Sequence, residues 1–504
     1  MPNLLPPASL STPVREIRGK ITASRLARYP AAVLLLPAAP SKGDWAQIPH
    51  ASEVAGAFEQ KKRKAGEFFE LRVGKRAETL LVVAVVADKA TTFERLQSAG
   101  KWARAAVAGE PGSLLVWQRG AGADAAAAAA QALIAAVQAA AMPLPSFKSK
   151  PPRRVRLAGI DLLLGAKLPG LRQELAAAAG ANLARWLTAL PPNLLDAANY
   201  RRFLQRLARE MRLEYRFYSE ADLKRLGAGA FLAVSQGNAR RDAGIVRLAY
   251  RPRRGAAVQL SLVGKGICFD TGGTNLKPHK SMLDMHTDMA GSAVAVGTLH
   301  ALHALKSPLA VECWLAITEN LIGPTAYKPQ DIVRALNGTT IQVIHSDAEG
   351  RMVLADTLSV AAARKPRAII DYATLTGACV YSLTERYSGA FTNRPERRDM
   401  IEAAGVASGE RVWCFPMDAD FDTDIDSTVA DVMQCATEGK GDHILAARFL
   451  SRFVPQDIPW LHLDLSSATR AGGLAHVGTD ITGFGVRYTL ELIRRGWPTG
   501  AVRA

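Results

Sequence analysis

The chain has 504 residues, 48% hydrophobic and 22% charged, with a formal net charge of +17. This length predicts two or three domains, and the balance excludes a chain disordered throughout and supplies a core that needs no disulfide or metal staples. The five cysteines (Cys268, Cys313, Cys379, Cys414, Cys435) show no CxxC spacing, which argues against a disulfide scaffold or a Cys-ligated zinc site and fits a reducing compartment.

In chain order, the opening MPNLLPPASLSTPVREIR has no basic n-region and is broken by prolines, so it does not read as a signal peptide. AAVLLLP (31–37) and TLLVVAVVA (79–87) read as buried strands. The Ala-rich stretch 121–142 contains Asp124, Gln131 and Gln138 and reads as a helix of a soluble protein, because alanine favours helix but contributes little transfer energy. PLPSFKSKPPRR (143–154) marks a boundary or surface loop. Residues 171–190 form a helix pattern that ends at Pro191-Pro192 and connects two domains. Beyond it, strands at 258–264, 310–318, 339–345 and 368–374 alternate with helices at 288–305 and 352–364. That alternation implies parallel pairing with helical crossovers. The predicted fold class is α/β with two domains. A smaller N-terminal α/β domain spans 1–165, and a connecting helix spans 166–190. A larger C-terminal domain, 191–504, has a central mixed, mostly parallel sheet flanked by helices.

Charge is uneven. Residues 1–170 hold 24 Lys and Arg against 12 Asp and Glu, with clusters at Lys61–Lys64 and Arg153–Arg156. One reading is a nucleic-acid-binding surface; the other is a solvated basic face. No zinc finger or basic zipper accompanies the charge, so nucleic acid is not the favoured partner.

In α/β sheets, sites form beyond the carboxyl ends of strands. Two segments so placed are dense in ionisable groups: GKGICFDTGGTNLKPHKSMLDMHTD (264–288) and HSDAEGR (345–351). If the second is extended, Asp347, Glu349 and Arg351 face one side, and the neighbouring carboxylates need a positive partner. Arg351 is one candidate. Asp270, Asp284 and Asp288 add further carboxylates, and such convergence suits divalent metals. A two-metal centre suits hydrolysis, since it activates water and polarises a carbonyl. FDTGGTN (269–275) also looks like the D-x-G-G-T phosphate loop of sugar kinases. That loop belongs near the start of its domain, and the kinase reading leaves HSDAEGR unexplained.

VGKGICFDTGGTNLKP and SDAEGRMVLAD resemble the two signatures of the leucyl aminopeptidases, or cytosol aminopeptidases. DYATLTGA (371–378) and ITENLIGPTAYKPQDI (317–332) are similar to family segments too, and the likeness runs from about 185 to 490. The resemblance implies a dinuclear zinc or manganese centre. Its ligands would be Lys265, Asp270, Asp288, Asp347 and Glu349, with Asp270 and Glu349 bridging the ions. A ligating Lys265 must be neutral, its pKa lowered by the ions. The resemblance further implies that Lys277 stabilises the oxyanion, that Arg351 holds a bicarbonate acting as general base, and that Met285, Thr374 and Leu375 contact the substrate. An apolar first residue, such as Leu or Met, follows from Met285. The family also implies peptide substrates and a homohexamer; the expected location is cytoplasmic, with no membrane partner. Departures from the family pattern are His345-Ser346 for Asn-Thr, FDTGG for FDSGG, DMAGS for DMGGA, and an altered tail at 462–486. None removes an implied ligand.

His279, His286, His443, His462 and His476 lack ligand-pair spacing. Cys268 and Cys379 read as small buried apolar residues. The acidic run Asp418–Asp426 lacks the Gly and terminal Glu of a calcium loop and reads as solvated.

Overall fold

The computed structural model describes Pro6, residues 9–150 and residues 157–497. The Arg153–Arg156 cluster, the end of the 143–154 segment and the first residues of the opening segment lie outside these. The chain divides into two compact units. One comprises Pro7–Asn182 with Ala471–Asp480; the other comprises Leu183–Arg470 with the stretch from Ile481 onward.

The first unit is built on six strands: β1 (Val14–Glu16), β2 (Ala31–Leu36), β3 (Phe68–Val73), β4 (Thr79–Val85), β5 (Ser113–Gln118) and β6 (Gly159–Leu163). Their order is β1-β6-β5-β2-β4-β3, parallel except for the β3–β4 pair. Strand β2 is buried on both faces, which is why it reads as an unbroken apolar run. Val33 and Leu35 join one core layer, while Leu34 and Leu36 join the other with Trp117 and Phe58. The Ala-rich helix Ala123–Ala141 is long and apolar enough to cross a bilayer by length and composition. Its Leu133, Ile134 and Val137 are buried in the core layer of Val33, beside Trp102 of the helix Thr92–Val107.

The second unit carries β7 (Glu214–Ser219), β8 (Gly244–Tyr250), β9 (Leu260–Asp270), β10 (Val311–Asn320), β11 (Ile332–Arg334), β12 (Thr340–Gln342), β13 (Ile369–Ala373), β14 (Ser388–Thr392), β15 (Val412–Cys414), β16 (Val432–Met433) and β17 (Trp460–Asp464). Eight of these form one sheet in the order β15-β14-β17-β13-β9-β10-β8-β7. The central four (β17, β13, β9, β10) are mutually parallel, and antiparallel pairings occur towards both edges. The α/β class and the mixed, mostly parallel sheet expected from the sequence are both present. Strand 339–345 departs from expectation. Only Thr340–Gln342 is extended, and it pairs with β11 and β16 in a separate three-stranded sheet.

Strand β9 also runs six residues beyond its predicted end at Gly264. Against β10 its register slips: Ile267 pairs with Thr318, but Asp270 pairs with Asn320. One extra residue is therefore inserted in β9. Lys265 and Asp270 are five apart, so a regular strand would place them on opposite faces. The bulge reverses the alternation and returns Asp270 to the face of Lys265. That face is covered by the helix Glu349–Ala362, and the helix Ala290–Ala304 covers the other. A Cβ on Gly264 would stand 2.5 Å from Ser292 Cα, and one on Gly350 would stand 2.7 Å from Lys265 Nζ.

Candidate metal centre

The carboxyl ends of β9, β10, β13 and β17 supply Asp270, Asn320, Thr374 and Asp464 to one edge of the sheet. The loop after β9 returns over this edge. Gly272 sits at φ 86, a conformation glycine adopts without a Cβ clash, and a Cβ there would meet Asn275 O at 2.5 Å. Ser346 ties this loop to the second motif. Its Oγ donates to Gly272 O (2.7 Å) and accepts from Asn275 N (2.7 Å), and its carbonyl accepts from Tyr327 Oη (2.6 Å).

Asp270, Asp347 and Glu349 each offer a carboxylate oxygen within 4.8 Å of the others. Asp270 and Glu349, about eighty residues apart in sequence, thus reach one place. Asp270 Oδ1 is oriented by Gly272 N and Asn320 Nδ2, each at 2.8 Å. Lys265 Nζ lies 2.8 Å from Asp288 Oδ1 and 2.9 Å from Glu349 Oε1, and donates to Thr374 O at 2.9 Å. Lys277 Nζ lies 2.9 Å from Asp270 Oδ2 and 2.6 Å from Asp347 Oδ1. All five expected ligands therefore form one connected cluster with Lys277. Asp284 does not join it; its side chain is exposed and its carbonyl accepts from Thr287.

The positive partners of the carboxylates are the two lysines rather than Arg351. Glu349 opens a helix, so Asp347, Glu349 and Arg351 do not share the extended face read from their spacing. The helical turn swings Arg351 away to Asp442. Its Nη2 donates to both carboxylate oxygens at 2.8 Å, and its Nη1 donates to Gln434 O at 3.2 Å.

The electrostatics show how strongly the pocket prefers positive charge. Burial pushes Glu349 up to about 8, helped by nearby Asp270 and opposed by Lys265. Burial likewise pushes Asp288 up to about 6, against the pull of Lys265. Burial alone would lower the pKa of the Lys265 ammonium, but Asp288, Glu349 and Asp270 outweigh it and hold the pKa above the ordinary lysine value. Asp288 Oδ2 and Glu349 Oε2 are buried without a hydrogen-bond partner. Unpaired buried carboxylate oxygens are costly, and a hard divalent cation is the ligand that satisfies them. The donor set fits such an ion.

The expected substrate contacts lie beside this cluster. Thr374 Oγ1 donates to Asp288 Oδ1 (2.7 Å), and Leu375 N donates to Asp464 Oδ1 (3.1 Å). Met285 is half-buried three residues before Asp288, whose N–H its carbonyl accepts at 3.3 Å. Asn320 and Ser346 lie within the motif segments but do not stand out there as site residues, and Asp442 and Asp464 are lone polar residues whose partners are remote in sequence. The kinase alternative finds no support here. The N–H groups of Gly272 and Gly273 turn inward to Asp270 Oδ1 and Thr271 Oγ1 instead of cradling a phosphate.

Gly350 provides a test of the packing. A methyl there would strike the Lys265 ammonium and not backbone. Gly350→Ala is expected to fold normally, since alanine suits a helix better by up to about 1 kcal/mol. It is also expected to lower divalent-metal affinity about tenfold or more, in the manner of residues that orient ligands. Circular dichroism melts and metal titration of the same sample separate the two effects.

The family model described as "Cytosol aminopeptidase family, catalytic domain" matches residues 182–490. A probable cytosol aminopeptidase of Methylobacterium radiotolerans is 36% identical over 428 residues, 84% of each chain. One of Methylorubrum extorquens is 42% identical over 330 residues, covering 64% of this chain and 65% of the relative, slightly under two thirds of its length. Among solved structures, the bottromycin maturation enzyme BotP in complex with Mn shares the fold with a TM-score of 0.78 at 31% identity, over 92% of this chain and 99% of that one. The chain is a member of the cytosol aminopeptidase family.

Proposed function

We propose that the chain is a metal-dependent aminopeptidase that removes an apolar N-terminal residue, such as Leu, from peptides. The observation that carries this reading is the convergence of Asp270, Asp347 and Glu349 on one point, flanked by Asp288, Lys265 and Lys277. Two divalent ions, zinc or manganese, would be held by Lys265, Asp270, Asp288, Asp347 and Glu349, with Asp270 and Glu349 shared. Bound there, they would supply an activated water and polarise the scissile carbonyl.

The chain's own residues do the rest. Lys265 becomes a ligand only as a neutral amine. Its ammonium now contacts Asp288 and Glu349, and it would have to give up a proton to serve as a ligand. Lys277, whose ammonium lies beside Asp270 and Asp347, is the group that would donate to the developing oxyanion. Thr374 and Leu375 would flank the substrate backbone beside the cluster, and Met285 would present an apolar wall to its first side chain. Bicarbonate at Arg351, which the resemblance implies, does not fit this arrangement. Nη2 and Nη1 of the guanidinium donate to Asp442 and Gln434 O, its Nε is buried without a hydrogen-bond partner, and the Asp442 carboxylate would repel a second anion there, so no step is drawn through that ion. A cytoplasmic homohexamer is the assembly proposed with this function.

The test is hydrolysis of Leu-p-nitroanilide. Activity is expected to disappear with a chelator and return with added zinc or manganese, and to fall sharply on Asp- or Glu-p-nitroanilide. A chelator-resistant activity, or none on any aminoacyl-p-nitroanilide with a free α-amine, overturns the reading.

A further inference from the structure

The guanidinium of Arg351 stands two residues beyond Glu349 on the same helix and is almost fully buried, with 3% of its side chain exposed. A buried guanidinium calls for an anion, since leaving such a charge without its partner is strongly destabilising. Among the described residues its ion-pair partner is Asp442. Asp442 opens the helix Asp442–Ser451, and Gly441 before it sits at φ 65, a left-handed turn that brings the chain back to the site. One guanidinium nitrogen, Nη2, faces both oxygens of the carboxylate at equal distances of 2.8 Å, while Nε is buried without a hydrogen-bond partner, so Asp442 meets the charge of the guanidinium without using all its donors. A planar, three-branched, monovalent oxyanion is thus already seated. Asp442 is 28% exposed, so the seat opens to solvent at its outer side, where a small anion would otherwise enter.

We propose that Asp442 is the resident anion of Arg351, supplying from the chain itself the carboxylate that free bicarbonate would supply, so that this protein neither binds nor needs bicarbonate there. This inference rests on the aminopeptidase reading for its kinetic consequence, but not for its binding consequence. Asp442 acts through Arg351 and is a positioning residue. Its carboxylate neutralises the guanidinium and fixes the plane of a group one helical half-turn from Glu349, which limits where that carboxylate can move.

The experiment uses full-length protein loaded with manganese. Calorimetric titration with bicarbonate is expected to show no saturable binding to the wild type. Hydrolysis by the wild type is expected to be the same in carbonate-free buffer as with bicarbonate added. Asp442→Ala removes the carboxylate and leaves a cavity of its size beside an uncompensated charge. That variant is expected to lose roughly 10- to 100-fold in kcat/KM, in the manner of residues that orient a metal ligand. It should then gain saturable bicarbonate binding by calorimetry and recover activity with bicarbonate or formate. A merely structural role for Asp442 would lower activity without creating an anion-rescuable site. Saturable bicarbonate binding to the wild type, or loss of its activity when carbonate is removed, overturns the proposal. So does an Asp442→Ala protein that folds, by circular dichroism, yet shows neither binding nor rescue. If Asp442→Ala does not fold, Asp442→Ser takes its place, and the wild-type titration decides by itself. Should no form hydrolyse any peptide, the aminopeptidase reading fails while the calorimetry still decides the anion question.

Discussion

Replacing Glu349 with Gln is expected to cut peptide hydrolysis by about a thousandfold or more while leaving the metal-free protein as stable as the wild type, or more so. Glutamine keeps the shape and one acceptor but cannot carry charge. Glu349 is 1% exposed, and one of its oxygens meets Lys265 while the other has no hydrogen-bond partner. If Glu349 is shared by two ions as proposed, deleting its charge removes the stabilisation of both water and oxyanion, and either alone is worth several kcal/mol. Stability moves the other way because burial is the main reason the Glu349 pKa stands at about 8. An acid whose folded pKa is raised binds its proton more tightly when native. Metal-free stability therefore falls as pH rises from about 4.5, the ordinary value, through about 8. Glu349→Gln removes that dependence. Denaturation of apo wild type and variant across this window, alongside kcat/KM and metal content of the loaded forms, checks both halves. An inactive variant that is also less stable at pH 8 would mean that Glu349 is structural and that the metal-ligand assignment is wrong. With Glu349 as a metal ligand, as proposed, binding to the wild type below about pH 8 would displace its proton, so metal affinity should weaken as pH drops.

What the sequence made legible follows the range of the interactions. The two motif segments stand out because ionisable residues are concentrated within each, and Lys265, Asp270, Lys277, Asp288, Asp347 and Glu349 do meet. The continuous apolar runs of β2 and β4 are legible for a similar reason, since strands buried on both faces have no polar alternation to confuse them. The start of the helix at Glu349 is not legible. Ala348 precedes it with no side-chain cap, so the local signals place the helix three residues late, at Met352. That small error misdirects Arg351, because an extended HSDAEGR and a helical one point its side chain to different places. The bulge in β9 is hidden too: GKGICFD shows one residue too many only when aligned against β10. Asn320 and Ser346 sit inside legible segments without any sign of their own roles, and Asp442 and Asp464 are invisible for the simplest reason, that a lone polar side chain has no pattern until the fold brings its partner.

Asp371→Ala is expected to destabilise the second unit by about 3–5 kcal/mol, with the loss greatest in acid. Asp371 and His462 face each other across the parallel pair β13–β17, in direct register, and both are fully buried. Asp371 Oδ1 lies 2.6 Å from His462 Nδ1, and its Oδ2 accepts from Trp460 Nε1 at 2.6 Å. Removing the carboxylate orphans two buried ring nitrogens at once, and no solvent reaches them as replacement. Burial alone would lower the His462 pKa, but the charge and hydrogen bond of Asp371 outweigh it and raise it above the ordinary histidine value. A raised basic group stabilises the fold fully below its unfolded pKa, near 6.5, and that contribution is lost as pH rises through the folded value. In the variant the imidazole keeps the burial penalty, with Asp464 raising and Arg351 lowering its pKa in smaller measure, so acid should destabilise it further. The gap between wild type and Asp371→Ala in urea denaturation should therefore widen below about pH 6.5 and narrow in base. Asp371→Asn, which retains hydrogen bonding without charge, should fall between the two. Activity should decline with stability, because β17 ends in Asp464, whose oxygens hold Leu375 N and the Thr376 hydroxyl at the edge of the metal centre. A gap that widens as pH rises would show that the pair is neutral in the folded protein and that its contribution is hydrogen bonding alone.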